Sequence, residues 1–460
     1  MSLYSHNHSG VSSFTTAVVT AQFTRLFLAT LTLGWFSLGP TSRAAAPASV
    51  EKELQELRQT NTALQQQLQE QKNDIDLLSR QVAELQTDRA DRDRQLADLK
   101  EGSSLPSAEI GINFGKLHIT GEGGVGFFHS GREGANPHSE FRVDEAKLFF
   151  EAPVWDNVYV FSELNLAERE HSDVNLNLGE FYVDFEDVSL LWGHERQLNL
   201  RAGRLDIPFG EEYLHRDAID NPLISHSLVD FWGVDEGAEI YGALGKFNYV
   251  LAVQNGGAPD TRDFDGDKSV AGRLGFDPTR WLHFSVSGMR TGDLNVQNDG
   301  LSALWFGNGF VRSLGSTNTT RFHANILEGD VAVRWARGHV SAFGGALCYD
   351  DNDSAGSNRR TVYFYSVEAQ QRLTRKLYAA TRFSHIMAGQ GFPLVGNGDF
   401  GDYFFGSLTK DLWRLSLGLG YRFGENLLVK AEYSLERGTE ATGETRDQED
   451  FFALEAALKF

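Results

Sequence analysis

Asp450-Phe-Phe-Ala-Leu-Glu-Ala-Ala-Leu-Lys-Phe460 alternates without a break. Phe452, Leu454, Ala456, Leu458 and Phe460 share one parity, and Phe451, Ala453, Glu455, Ala457 and Lys459 share the other. A β-strand over these residues has one apolar face and one mixed, partly charged face. A strand of a soluble sandwich can show the same alternation, but an aromatic-ended edge strand would then need a cover. A barrel closed within a membrane instead pairs its last strand with its first and turns the apolar face to lipid.

Working back from this stretch, the chain repeats one unit: an alternating segment, a short turn, another alternating segment and a long polar loop. The segments are 116–129, 141–153, 157–167, 175–185, 197–205, 237–245, 246–256, 268–277, 282–291, 322–337, 339–349, 360–372, 376–387, 402–423, 426–436 and 450–460. The fold class this predicts is an all-β transmembrane barrel of about 16 antiparallel strands, preceded by an α-helical coiled coil. Tight turns such as Asp277-Pro-Thr-Arg280 and Phe423-Gly-Glu-Asn426 alternate with Gly-, Asp- and Asn-rich loops, which puts short turns on one rim and long loops on the other. The connection 186–196 is long for the short rim and leaves the count open by two.

Composition agrees. There are 33 Phe, 13 Tyr and 8 Trp with 47 Gly, a mixture suited to strands with aromatic girdles. Beyond the first fifty residues no apolar run approaches the ~18 residues of a spanning helix. The net charge of −21 excludes nucleic acid as a partner, because phosphate binding needs clustered Lys and Arg. The single cysteine, Cys348, excludes an internal disulfide.

Upstream of the barrel, the apolar run Leu26 to Leu38 follows Arg25 and precedes Ala44-Ala-Ala-Pro-Ala48, the layout of a secretory signal over 1–48. Val50, Leu54, Leu57, Asn61, Leu64, Leu68, Gln71, Ile75, Leu78, Val82 and Leu85 then step by four and three, a heptad seam over 49–101. A seam cannot bury itself, so the rod implies a homo-oligomer. At ~1.5 Å per residue it would extend ~75 Å into the periplasm, with the cell wall as a second candidate partner. Residues 102–115 read as a linker and 116–460 as the barrel, embedded in outer-membrane lipid.

Strand parity assigns the faces. Leu415, Leu417, Leu419, Tyr421 and Phe423 point to lipid, as do Leu427, Val429, Ala431, Tyr433 and Leu435. The alternate positions put Glu122, Glu163, Glu180, Asp184, Asp330, Glu432 and Glu436 in the lumen, with Arg273, Arg334, Arg382, Arg414, Arg422 and Lys430 as basic lumen wall. A charged interior needs water, which argues for a channel.

The connection 206–236 holds Leu214, Ile219, Leu223, Ile224, Leu228, Val229, Phe231 and Trp232, too many apolar residues for a loop in solvent. Folded into the lumen it would narrow the pore, with Arg201, Arg204, Glu211, Glu212, Arg216, Asp217 and Asp220 at the constriction.

Gly203-Arg-Leu-Asp-Ile-Pro-Phe-Gly-Glu211, with the coiled coil and the terminal Phe, resembles the phosphate-selective porins O and P. The resemblance covers about 116–460 and implies a 16-stranded trimeric outer-membrane porin with an inward-folded third loop. Phosphate selectivity does not carry over with it. A desolvated anion must meet fixed positive charge, whereas this connection carries Asp206, Glu211, Glu212, Asp217, Asp220, Asp230, Asp235 and Glu236 against Arg204 and Arg216.

Passive diffusion of small hydrophilic solutes or ions is therefore the expected function, with a tether to the cell wall as the alternative. No cofactor is expected, and no metal. Asp260, Asp263, Asp265 and Asp267 have calcium-loop spacing but lack the closing Glu, so they read as a solvated turn. Ser225-His226-Ser227 and His385 lack a third group to orient them, and no enzyme activity is expected.

Overall fold

The computed structural model describes residues 112–114, 116–167, 176–257, 263, 266–295, 321–351, 359–398 and 408–460. The signal and rod assignments lie outside these residues, as do Asp260 and Asp265 of the acidic loop.

Sixteen long strands form one antiparallel sheet: β1 Leu117–Ser130, β2 Glu140–Trp155, β3 Val158–Ala167, β4 Asn177–Phe185, β5 Asn199–Asp206, β6 Val234–Leu244, β7 Phe247–Gln254 and β8 Ser269–Thr279, then β9 Leu282–Arg290, β10 Arg321–Trp335, β11 Gly338–Asp351, β12 Arg360–Arg372, β13 Leu377–Phe392, β14 Thr409–Arg422, β15 Leu427–Glu440 and β16 Phe451–Lys459. Each pairs with its sequence neighbours. β16 returns to β1 from Phe451↔Ser130 to Lys459↔Glu122 and closes the barrel. Phe460 completes the seam by exchanging two backbone hydrogen bonds with Gly121, at 2.8 and 2.9 Å.

The residues of β16 show why closure suits this sequence. Leu454 and Leu458 are 44% and 41% exposed, whereas Glu455 between them is 2% exposed. The molecule is inside out relative to a soluble sheet: Leu417, Leu419, Tyr421, Val429 and Tyr433 look outward, and Arg414, Ser416, Lys430, Glu432 and Glu436 are buried inward. Backbone groups are satisfied strand to strand, as a bilayer demands.

Trp155, Trp192, Trp281 and Trp335 are exposed at the rim of short turns. Phe141 and Tyr363 are exposed toward the other rim. The long connection after β4 stays a single turn. Its short helix Val188–Trp192 is pinned by Ser189 Oγ, which accepts from the Gln197 and Leu198 amides at 3.1 and 3.2 Å, so the count remains sixteen.

Gly121 is the tight point of the closing seam. A Cβ built there would lie 2.5 Å from the Phe460 ring. The Gly121→Val variant is expected to displace Phe460 and to destabilise the closed barrel by about 1–3 kcal/mol, the usual range for overpacking. The measurement is the temperature at which the folded form is lost on a heat-modifiability gel. An unchanged temperature would show that Phe460 adds nothing to closure.

Candidate functional site

The connection 207–233 leaves the wall after β5 and crosses the inside of the barrel. Its departure rests on two glycines of the quoted motif. Gly203, at φ 143°, lies so close to β4 that a Cβ would meet the Phe181 carbonyl oxygen at 2.2 Å. Gly210, at φ 68°, is in the left-handed region that favours glycine, and a Cβ there would meet Glu328 Oε1 of β10 at 2.5 Å. The base is closed by the Ile207 amide donating to the Gly233 carbonyl at 2.9 Å.

Hydrophobic packing places the two halves of the loop. Phe209 meets Phe231 edge-on at 5.0 Å, and Phe231 meets Phe364 of β12 at 5.2 Å. Ile207, Leu228 and Val229 join inward-facing Met289, Ile326, Leu347 and Ile386 in the same cluster. Farther along, Ala218, Ile219 and Leu223 pack on Tyr378, Leu428 and Ala457, and Ile224 packs on Phe128 and Phe451. Gly418 makes room for Leu223, whose Cδ2 would lie 2.4 Å from any Cβ there. Leu214 and Trp232 are only half-buried.

The far end is held by side chains of β13 to β15 bonding to loop backbone. Lys430 Nζ donates to the carbonyls of Ala218 at 2.7 Å and Leu223 at 2.8 Å and lies 3.3 Å from Glu455. Arg382 donates to the Ser225 carbonyl at 2.7 Å and Asn221 Oδ1 at 3.0 Å, and pairs with Glu368. Arg414 reaches the His226 carbonyl at 3.1 Å and pairs with Glu436 at 2.6 Å. Arg422 donates to the Ile219 carbonyl at 3.2 Å. Glu432 serves the amides: Ile224 at 2.6 Å, Ser225 at 2.8 Å, and the Ser225 hydroxyl at 2.5 Å. Such charge-assisted bonds in a buried setting are stronger than neutral ones.

Four of the expected basic wall residues thus clamp the loop. Arg273 does so near the base, donating to the Gly210 carbonyl at 2.8 Å and to the Tyr213 hydroxyl at 3.3 Å. Arg334 lies apart from the loop, exposed near the short-turn rim.

The expected constriction residues divide. Glu211 bonds His283 at 2.7 Å, and Glu212 takes the Ser227 amide at 2.9 Å. Arg216 pairs with Asp230 at 2.8 Å and lies 4.3 Å over the Trp232 ring. Burial alone would raise the Asp230 carboxyl, yet Arg216 and His226 hold it below the ordinary carboxylate range. Burial likewise acts upward on Glu211, and the His283 hydrogen bond with Arg273 outweighs it. Asp217 meets Lys147 of β2 at 2.7 Å, and Asp220 is half-buried in the same turn.

Arg201 is on the lumen face of β5, 2.7 Å from Asp184 and 3.5 Å from Glu239, with its guanidinium over Tyr182 and Tyr241. Arg204 stands on the opposite face. Its cross-strand neighbours are outward-facing Phe181 and Glu236, and it pairs with Glu236 at 2.9 Å.

The wall left facing the loop across β3 to β6 presents Glu163, Glu180, Asp184 and Glu239, with Arg201 between two of them.

Lys147 and Glu145 were not singled out by the sequence reading. A register slip at Asp144 turns them inward, and it was legible: Phe141 and Val143 are odd, whereas Leu148 and Phe150 are even.

No protein-family model matches the chain, and no curated protein is similar in sequence. Solved structures are similar in fold. OmpT, an outer membrane protein of Vibrio cholerae, superposes with a TM-score of 0.51 at 11% identity, covering 77% of this chain and 100% of that one. The outer membrane channel DcaP of Acinetobacter baumannii gives 0.50 at 11% identity, covering 76% and 100%. At such identity the likeness is one of fold, a closed antiparallel β-barrel.

Proposed function

We propose that the chain is an outer-membrane porin that passes small hydrophilic solutes and ions by diffusion, favours cations, and performs no chemistry on them. The observation that carries this reading is the fate of the lumen charges. Arg382, Arg414, Arg422 and Lys430 are engaged by loop carbonyls, while Glu163, Glu180, Asp184 and Glu239 line the wall that the loop faces. Asp184 and Glu239 share Arg201, and Glu180 accepts the Asp206 amide, so among the described residues this wall sets four carboxylates against one guanidinium and offers an anion no ladder of cations. The terminal strand and exposed apolar belt support an outer-membrane location, the heptads over 49–101 support a homo-oligomer, and the resemblance to the phosphate-selective porins favours a trimer.

In a planar bilayer the purified chain is expected to give stepwise conductance whose reversal potential in a potassium chloride gradient has the sign of cation preference. Anion preference would overturn the selectivity. A silent barrel would favour the tether.

A further inference from the structure

Three carboxylates from distant parts of the chain meet where the loop touches the wall: Glu122 on β1, Glu145 on β2 and Asp217 in the loop. One oxygen of each lies within 4.8 Å of the other two. An all-oxygen, anionic set suits a hard divalent cation. Calcium fits the spacing, because bonds of about 2.3–2.6 Å allow its ligand oxygens to stand roughly 5 Å apart.

One cation is already at hand. Lys147 Nζ is 2.7 Å from Asp217 and 3.9 Å from Glu122 Oε1. It does not balance the cluster: three negative charges and one positive leave the charge of one divalent ion unmet. Glu122 is where the deficit shows. Its side chain is 9% exposed, and its Oε1 is buried without a hydrogen bond. A buried carboxylate oxygen in that state is costly unless something binds it. Glu145 is already aimed at the loop, because its Oε1 accepts the Ala218 amide at 2.5 Å.

We propose that Glu122, Glu145 and Asp217 bind one Ca²⁺ ion, which ties the loop to β1 and β2 and extends, across β16, the clamp supplied by β13 to β15. Asp217 is then shared between Lys147 and the ion, Glu122 and Glu145 complete the set, and the cluster is neutral.

The test uses the full chain refolded in detergent free of lipopolysaccharide, stripped with EDTA and titrated with calcium chloride by calorimetry. One ion per chain is expected. Glu122→Gln should weaken binding at least ten-fold, and Lys147→Met should tighten it by removing a like charge. Asp267→Asn, in an exposed loop, should leave it unchanged. Glutamine keeps the shape of Glu122, whose Oε1 has no hydrogen bond to lose, so this variant should refold even where Glu145→Gln, which weakens the hold on the Ala218 amide, does not. No calcium uptake by the unsubstituted chain at millimolar concentration would overturn the site and point to a proton shared between carboxylates. Uptake unchanged by Glu122→Gln would overturn it as well, placing the ion on the acidic loops. Calorimetry reads binding without conduction, so failure here leaves the pore reading standing.

Discussion

Lys430→Met is expected to release the far end of the 207–233 connection and raise single-channel conductance, with the sixteen-stranded barrel still assembled. Methionine matches the length of lysine and keeps its packing, but it donates nothing. The carbonyls of Ala218 and Leu223 lose their donor, and Glu455 stays buried without the ammonium 3.3 Å away. Lys430 is 1% exposed, so water does not replace it cheaply.

Breaking a buried pair from one side costs about 3–5 kcal/mol. At ~1.4 kcal/mol per decade, that moves the loop roughly two to three and a half orders of magnitude toward the detached state. The strand ladder is spared, because residue 430 keeps its register with Gly420 and Glu455 through backbone alone.

Three readouts separate the loop from the barrel: conductance, protease cleavage within 211–226, and heat modifiability. The double variant Lys430→Met with Glu455→Gln should recover part of the loss by removing the stranded carboxylate. Wild-type conductance and an uncleaved loop in Lys430→Met would show that the loop is held by its hydrophobic contacts alone.

The barrel was legible in the sequence because its physics is periodic. Side chains that meet lipid and lumen in turn leave a period of two, and every one of the sixteen expected segments overlaps a strand. Burial of the loop was legible from its apolar content, since Ile219, Leu223, Ile224 and Phe231 could not all stay in water.

The clamp was less visible. Parity shows that Arg382 and Lys430 point inward, but their partners are backbone carbonyls about two hundred residues or fewer away, and a carbonyl has no letter in the sequence. An inward cation therefore read as one facing solute. Arg204 shows a different limit. Its even parity on β5 marks the outward face, yet its place in a recognisable motif drew it toward the constriction.

Neutralising the two sets of charges should have opposite consequences, which separates pore lining from loop support. Glu180 and Glu239 are lumen-facing residues on β4 and β6, and Arg201 lies between Asp184 and Glu239. A unit charge about 4 Å from a passing ion is worth about 1 kcal/mol in a water-like medium, roughly a five-fold change in preference.

Glu180→Gln combined with Glu239→Gln should therefore move the reversal potential toward anions. Arg201→Gln should move it the other way, because Asp184 and Glu239 lose the guanidinium that offsets them. Arg334→Gln, at the rim, should change little at physiological salt, where the screening length is about 8 Å. Both shifts should shrink as salt rises, since a field in water is screened and a steric change is not. If the carboxylate variants leave selectivity untouched while Arg382→Gln alters it, the conducting path runs along β13 to β15 beneath the loop, and the acidic wall of β3 to β6 is not what ions meet.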